Sequence, residues 1–393
     1  MKKLVPLEIL AYIMASIALA VLVVFVSKLI VDGKVFWIEP TDYGTSSQVG
    51  DFIAGVVGTF LNIAVLLFVI LTFKTQVDEK KEKDMESAVE KAVEYHRENV
   101  AHISLIDPAE PDTGYYEGAA AFGVIVKEFR DCLGDIKKYV RHIDVSSVLN
   151  AKYKSELQSI INANSLKVTP ASLFIIDISY SVVYYGLTNE GQIALKRKYI
   201  RSVDSQFYTN LLFYLCLKVE NQDGMRWRAW KMVRQLPGKT MTADLVAAYE
   251  FIRGRQAELT GRQDHIRKLA LGRKYVKPYH MGHQHRLSHY YRHLYQSFKH
   301  IRQNQSVSDA IKYDMAKELR SHLSTFEQVL LFINSTTHLG RKWELQQTSK
   351  GESMKLISTF NLIKNVPSNH VGGVRYNNFY EEVDYDYEAL AKQ

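Results

Sequence analysis

The sequence predicts a mostly α-helical protein in which two N-terminal transmembrane helices precede a large α-helical cytoplasmic domain. Two uncharged apolar runs, residues 9–27 and 52–73, stand near the N-terminus, and no later segment is comparable. Farther along, apolar residues recur at steps of three and four, the period of an amphipathic helix. Alternating β-branched runs joined by Asn-Gly turns, which would indicate a sheet, are missing.

The two apolar runs are long enough to cross a bilayer. They contain 19 and 22 residues without a charge, and a helix rising about 1.5 Å per residue covers a hydrocarbon core of about 30 Å with that length. Lys2 and Lys3 resemble the start of a cleaved signal peptide. The first run is longer than is usual for such a peptide, and no small-residue cleavage site follows cleanly. We therefore expect a retained anchor.

Basic residues flank the two runs unequally. Residues 1–8 carry two lysines and residues 74–93 carry five, whereas the loop 28–51 carries two lysines against four acidic residues. The positive-inside rule assigns the more basic flanks to the cytoplasm. We therefore expect a two-span membrane protein with an extracytoplasmic loop 28–51 and both termini in the cytoplasm.

A charged connector, residues 74–114, follows the second run. Apolar positions including Val89 and Ala92, together with His96, recur at helical spacing and form a narrow seam. The seam can pack on the main domain or pair two copies of the chain. It is barely two heptads long and contains a histidine, which favours packing on the main domain. Two prolines and a glycine in residues 107–114 predict a loop.

The main domain is predicted to span residues 115–365. Leu173–Leu187 is too short for a membrane span and carries Asp177, so it indicates a buried helix. The terminal segment 366–393 is acidic and rich in tyrosine, which is typical of a loosely ordered or docking tail.

Two serines match the start of a helix. Ser324 is followed three residues later by Glu327, which is a capping box before an apolar run. Ser306 precedes Asp309 at the same spacing and predicts a second helix start.

Positive charge is concentrated in residues 226–302. This basic region has 17 Lys and Arg against four acidic residues, a net of +13 compared with +8 for the whole chain. Such an excess attracts an acidic or nucleic-acid partner, or an anionic membrane surface. Trp227 and Trp230 alternate with basic residues there, and they can stack on bases or form the buried side of a short helix; the sequence favours neither.

Small residues mark the second predicted span. Gly55, Gly58 and Thr59 allow close packing of helices, and Asn62 lies near mid-membrane. In an oligomer Asn62 can bond across helices or line a passage; simple anchoring by the span is the alternative.

Residues 283–300 are the richest in histidine, with five of the chain's thirteen. On a helical wheel, an apolar arc of Leu287, Tyr291, Leu294, Phe298 and Ile301 faces a core. The opposite side aligns His285, His289, His293 and His300 with Gln296, flanked by Arg286 and Arg292. The histidine side therefore faces water, a second polar interior or a partner.

Three functions fit this histidine row. Histidines four residues apart can hold zinc, but HExxH is missing and further ligands are not identifiable. Arg286 and His293, separated by six residues, match the R-x4-6-H pattern of HEPN-type ribonucleases, in which arginine stabilises a phosphorane and histidine moves protons. A partner-binding or structural hydrogen-bond network is the commonest role for such a row, and we favour it.

No cofactor is predicted. Phosphate-binding glycine loops, a GxSxG elbow and a conventional carboxylate pair are missing from the sequence. Two cysteines occur, Cys132 and Cys216, both in the predicted cytoplasmic part, so the sequence has no CxxC motif and no disulfide framework, and we expect them to be buried.

The chain resembles the AbiC-like family of phage abortive-infection proteins. The resemblance is carried by LSHYYRHLYQSFKHI, LRSHLSTFEQVLLFIN and GRKWELQQ, with fainter similarity in residues 118–122, 181–187 and 360–365. The matching positions are His289, Tyr290, Tyr291, Arg292, His293, Leu294, Tyr295, Arg320, Leu323, Ser324 and Asn334. The candidate residues for a partner-binding or structural network are His285, His289, Arg292, His293, Tyr295, Arg320 and Asn334.

Within that family the chain is most similar to the two-transmembrane effectors encoded beside bacterial retrons. The resemblance implies a membrane effector held in check by a retron reverse transcriptase and its RNA–DNA product, and released to disrupt the inner membrane. The resemblance assigns no catalytic role to any residue of this chain. A membrane-tethered ribonuclease using Arg286 and His293, and a non-enzymatic membrane scaffold, are the alternatives.

Overall fold

The computed structural model describes residues 5–31, 43–106, 114–219, 224–272, 279, 281–347 and 353–390. About 74% of the chain is helical, so the predicted mostly α fold class is confirmed. The chain forms two compact units, Met1–Ser87 and Ala88–Gln393. Parts of two predicted loops, 32–42 and 107–113, lie outside the described residues.

The first unit contains the two apolar runs. Helix α1 is Val5–Val31, α2 is Tyr43–Phe52, a π-helical segment covers Ile53–Val57, and α3 is Gly58–Ala101. Two stretches, Pro6–Val31 and Ser46–Ala101, are long and apolar enough to cross a membrane. Residues 43–51, which belong to the predicted extracytoplasmic loop, are helical.

The helices of the first unit leave most of their apolar surface uncovered. Alanines (Ala11, Ala18 and Ala64) are among the few buried residues, and the Tyr12 and Phe68 rings meet with centroids 5.4 Å apart. Only 11% of each apolar window is buried. A helix in the core of a soluble protein would have most of that window covered, so these two helices present an apolar surface to their surroundings.

The second unit is a helical domain that includes residues 88–101 of α3. Its helices are α4 Ala119–Tyr139, α5 Val145–Val148, α6 Ala151–Ala163, α7 Pro170–Tyr185, α8 Asn189–Tyr199, α9 Ser205–Cys216, α10 Met225–Gln235, α11 Gly238–Ile252, α12 Gly261–Leu271, α13 Gln284–Gln303, α14 Asp309–Ser321, α15 Thr325–Thr336, α16 Leu356–Thr359 and α17 Asp386–Leu390. Three-residue 3₁₀ segments lie at Val140–His142, Arg341–Trp343 and Tyr376–Asn378.

Two short antiparallel hairpins and two isolated β-bridges are the β-structure of the described residues. Strand β1, Ser104–Ile106, pairs with β2, Tyr115–Glu117, with Leu105 opposite Tyr116. Strand β3, His370–Val371, pairs with β4, Val374–Arg375. Neither hairpin is a layer of the fold, as the weak strand signals predict.

Helix α7 forms the centre of the domain. The Thr169 hydroxyl accepts a hydrogen bond from the Ser172 amide, Pro170 opens the first turn, and Gly186, with a φ of 77°, ends the helix. Its residues from 176 to 184 are all buried, and α4 and α15 pack against it. The predicted buried helix is thereby confirmed.

The two predicted helix starts have different outcomes. Ser324 and Glu327 form the expected capping box at the start of α15. Ser306 does not cap α14: the cap is Ser308, whose hydroxyl accepts from the Ile311 amide. The Ser306 amide instead bonds to the Asn304 side chain, which holds it in the turn before the helix.

The expectation of a loose C-terminal tail is wrong for residues 366–388. Tyr376, Tyr380 and Tyr385 are almost completely buried, and the Tyr376 ring packs 4.6 Å from that of Phe332 on α15. Acidic side chains of the segment point outward, as in the ion pair of Asp384 with Lys364. The acidic composition therefore describes one side of a packed segment, and the tyrosines anchor the other side.

Candidate functional site

Helix α13 has the two faces that the wheel predicts. Leu287, Tyr291, Leu294, Phe298 and Ile301 are all buried, and the Tyr291 hydroxyl donates to the Leu330 carbonyl of α15 at 3.0 Å. The predicted apolar arc is confirmed, and it fixes the direction in which the histidine side points.

The histidine side lies along residues 88–101 of α3. His289 Nδ1 is 3.1 Å from Asn99 Oδ1, and the His293 ring meets the Tyr95 ring edge-on with centroids 5.5 Å apart. Burial, followed by the nearby His289 and His96, lowers the pKa of His293. His285, His289 and His300 are exposed and His293 is half-buried, so most of the row faces water, which is one of the three environments that the wheel allows.

A buried contact lies behind this row. His96 Nε2 of α3 is 3.2 Å from Glu327 Oε1 of α15, and both side chains are about 2–3% exposed. The Tyr290 hydroxyl of α13 donates to the same oxygen at 3.0 Å, and the Ser324 amide donates to Glu327 Oε2 at 2.8 Å. One carboxylate thus joins three helices. The connector face is hereafter Tyr95, His96 and Asn99 of α3 with His289, Tyr290, His293 and Glu327.

The electrostatics of Glu327 agree with a charged carboxylate. Burial acts to raise its pKa, but the His96 contact and the hydrogen bonds from Ser324 outweigh burial and leave the pKa below its usual value. A buried carboxylate is tolerated only where such partners compensate for the lost water.

Arg286 and His293, the predicted ribonuclease pair, line different cavities. Arg286 Nε donates to the Ser104 carbonyl at 2.7 Å and borders a cavity of about 300 Å³ that also contains Glu128 and His283. His293 borders another cavity, of about 230 Å³, with Tyr95. In the first cavity the histidine beside Arg286 is His283, whose Nε2 lies 2.7 Å from Glu128 Oε2.

The other predicted network residues are spread over α13, α14 and α15. His285 and Arg292 are exposed, and burial, with Arg286 and His283, lowers the pKa of His285. Tyr295 packs edge-on against Trp343 at 5.2 Å. The Lys342 ammonium lies over the Tyr295 ring, 4.3 Å from its centre.

Arg320 and Asn334 have structural contacts. Arg320 Nη1 donates to the carbonyls of Phe360 and Asn361 at 2.8 and 3.2 Å, which fastens the segment after α16 to α14. Asn334 is buried, and Gly340 packs directly on it: a Cβ on Gly340 would lie 2.1 Å from Asn334 Oδ1.

A buried cluster around Asp177 was not predicted as a site. The carboxylate accepts from the His338 amide at 2.9 Å and from Arg341 Nη2 and the Tyr153 hydroxyl at 3.1 and 3.2 Å, and it lies 2.7 Å from His338 Nδ1. Burial alone would raise the pKa of this carboxyl, but Arg341 and His338 hold it well below its usual range. In the sequence, the available indication of this cluster was one aspartate in an otherwise apolar helix. Nothing in the sequence indicated His338 and Arg341, which lie about 160 residues away.

Several charged residues of the basic region form ion pairs with one another. Asp244 pairs with Arg262, Glu250 with Arg255, and Asp264 with Arg267 and Lys268. Trp230 is buried against Tyr214 with ring centroids 4.8 Å apart, whereas Trp227 is half-buried under Lys231. The buried-side interpretation is thus right for Trp230. Residues 273–278 of this region lie outside the described residues.

The small residues of the second apolar run lie mostly on its uncovered side. Gly55, Thr59 and Asn62 are exposed, and their spacing of four and three residues places them on one helix face. The Thr59 hydroxyl donates to the Gly55 carbonyl. Gly58 is half-buried where the π-helical segment ends.

Among the described residues no group of three or more His, Cys, Asp or Glu side chains is placed to hold a metal ion. The histidines of α13 therefore have no set of zinc ligands around them in this part of the chain.

Comparison with known proteins gives one match. Residues 282–371 match the family model described as "Putative phage abortive infection protein". No curated protein and no solved structure matches the chain. The matched segment contains α13 to α16 and hence Tyr290, Glu327, His338 and Arg341. This match supports the resemblance to the AbiC-like abortive-infection family.

Proposed function

We propose that this chain is a membrane-embedded, non-enzymatic effector of an antiphage abortive-infection system of the retron type. Its partner, a retron reverse transcriptase with its RNA–DNA product, restrains it. When the partner releases it, the effector disrupts the inner membrane, and the infected cell stops growing or dies.

The observation that carries this proposal is the continuity of α3. The helix that contains the second apolar run also contains His96, which meets Glu327 and Tyr290 within the segment matched by the abortive-infection family. A rearrangement of α13 or α15 would therefore act on a helix that extends into the apolar run. Coupling of this kind requires a packed element with two arrangements, and the buried polar contact supplies the packing.

The apolar run offers a surface for association between copies. Gly55, Thr59 and Asn62 form a small and polar stripe on its exposed face. Small residues let helices approach closely in a membrane, and an asparagine can bond across them. We propose that this stripe is used when effector copies associate after release.

The basic region is the proposed contact for the restraining partner. Its acidic residues are largely paired with its own cations, yet a net excess of positive charge remains. Binding to a nucleic acid through such charges weakens steeply as salt rises.

Membrane potential and dye uptake after triggering test the main proposal. Cells carrying the wild-type system should lose membrane potential as growth stops, whereas Asn62→Leu should arrest fewer cells at an equal protein level. Val65→Leu, an exposed apolar change in the same helix, is the matched control and should behave as wild type. An intact membrane potential in cells that have stopped growing would contradict the proposal.

The two alternatives, a ribonuclease and a scaffold, predict different outcomes for two further variants. If the chain is a ribonuclease, His293→Ala should abolish toxicity without changing protein level, and cellular RNA should be degraded during arrest. If it is a scaffold, replacing residues 1–73 by an unrelated two-span anchor should leave function complete.

A further inference from the structure

A cavity between α8, α9 and α11 belongs to neither the connector face nor the Asp177 cluster. Its volume is about 590 Å³, within the range of about 300–1,000 Å³ that is typical of small-molecule sites. It is lined by Asn189, Gln192, Ile193, Lys196, Ile200, Tyr208, Thr209, Leu212, Phe213, Cys216, Tyr249 and Arg253.

The charge of this lining is positive. Lys196 and Arg253 are its two charged residues, and it contains no carboxylate among the described residues. Glu250, next to Tyr249 in the chain, pairs with Arg255. Two cations without an acidic partner in the wall favour an anionic ligand.

Two aromatic side chains, Phe213 and Tyr249, form part of the wall of the same cavity. The Phe213 and Tyr249 rings meet edge-on with centroids 5.3 Å apart, and the Arg253 guanidinium lies over the Tyr249 ring at 4.9 Å. Stacking holds the Arg253 charge at the rim, close to an aromatic surface. A ligand with a ring and a negatively charged group would meet both features at once.

Tyr208 also lines the cavity. Tyr208 is only 4% exposed, and its hydroxyl has no hydrogen-bond partner among the described residues.

We propose that this cavity binds a nucleotide. The phosphate would pair with Lys196 and Arg253, and the base would pack on the wall of Tyr249, Phe213 and Leu212. The side-chain amides of Asn189 and Gln192 supply polar groups at the edge of the site, of the type that fix the orientation of a base.

Calorimetric titration of the full chain in lipid nanodiscs tests the proposal. The probes are nucleoside mono-, di- and triphosphates in one arm and a 5′-phosphorylated oligothymidylate in the other. Saturable binding in the first arm identifies a free nucleotide as the ligand, and binding only in the second identifies a nucleotide at the end of a nucleic-acid strand. Lack of binding in both arms at millimolar concentration would overturn the proposal.

Two neighbouring residues of α8 provide a matched pair of variants. Lys196 lines the cavity, whereas Arg197 is exposed and does not. Lys196→Ala should weaken nucleotide binding about tenfold or more, which is the usual effect of losing one charge-assisted hydrogen bond. Arg197→Ala should leave binding within about twofold of wild type. An equal loss in both variants would mean general attraction by the basic surface and would refute the site, as would unchanged binding in Lys196→Ala with an unchanged thermal unfolding curve.

Discussion

Asp177 illustrates how one buried side chain organises distant parts of this chain. It is fully buried in the central helix α7, yet it is bonded to Tyr153 of α6 and to His338 and Arg341 after α15. Four polar groups from these three residues replace the water that the carboxylate loses on folding, which is the condition for burying a charge.

Replacing Asp177 by Asn should destabilise the protein by about 3–5 kcal/mol, because it leaves Arg341 buried without its charge partner. Thermal and denaturant unfolding followed by circular dichroism measure this loss. Asp131→Asn is the control: Asp131 is an exposed aspartate on α4, and its change should cost less than about 0.5 kcal/mol.

The same carboxylate predicts a pH dependence. Because the folded-state pKa of Asp177 is depressed, its contribution is fully present above the unfolded-state pKa of about 3.9 and is lost as the pH falls through the folded-state value. The stability difference between wild type and Asp177→Asn should therefore be constant near neutral pH and shrink below about pH 4. A difference that stayed constant down to pH 2 would contradict the assignment.

Gly282, at the start of the family-matched segment, is required by a close backbone approach. Its φ is +66°, and a Cβ there would lie 2.5 Å from the Gly186 amide nitrogen and the Tyr185 carbonyl carbon. Gly282→Ala should therefore cost clearly more than the about 1–2 kcal/mol of a left-handed alanine. Gly254→Ala is the matched control, since its φ is +72° with nothing within 4 Å; equal melting-temperature losses in the two variants would disprove the steric contribution.

At the scale of elements, the contact of α3 with α13 and α15 is the part of the fold nearest to the proposed mechanism. It combines an apolar seam that includes Val89 and Val93 with the buried pair of His96 and Glu327. The seam drives packing, and the pair selects its register, because a shift of α3 by one turn would take His96 away from the buried Glu327 carboxylate.

A double-mutant cycle on His96→Ala and Glu327→Gln should give a coupling free energy of about 1–3 kcal/mol. Each single change removes one side of a buried contact and should destabilise by several kcal/mol, while the double variant should lose less than the sum. The exposed contact of Arg97 with His322, 3.4 Å between nitrogens, is the control cycle and should give almost no coupling. Equal coupling in the two cycles would argue against a special role for the buried pair.

The stability contributed by Glu327 follows the same sign as that of Asp177. Its pKa is lowered on folding, so its contribution is present above the ordinary carboxylate pKa of about 4.3 and is lost as the pH falls through the folded-state value. Acidification should therefore loosen the contact of α3 before it loosens the Asp177 cluster, whose carboxyl has the more strongly depressed pKa.

At the scale of the whole molecule, the membrane arrangement can be tested with single cysteines. The native Cys132 and Cys216 are buried, so they give a low background. We propose that Ser46 lies outside the inner membrane and Glu90 inside. A membrane-impermeant maleimide should then label Ser46→Cys in intact spheroplasts, and Glu90→Cys only after lysis. The reverse pattern would invert the topology, and labelling of both in intact cells would refute membrane crossing.

The sequence by itself determined the features that depend on local pattern. The two apolar runs, the predominance of helix, the buried central helix, the capping box at Ser324 and the two faces of α13 all follow from composition and spacing over fewer than about 20 residues. The similarity of residues 282–371 to the abortive-infection family also rests on local motifs.

Only the tertiary structure decided which side chains meet. It placed Arg286 and His293 at the edges of different cavities, brought His96 to Glu327 and His338 to Asp177, and packed the acidic C-terminal segment through its tyrosines. The physical reason is that these contacts join residues up to about 230 positions apart. Periodicity reports which face of a helix is buried, but it contains no information on which element covers that face.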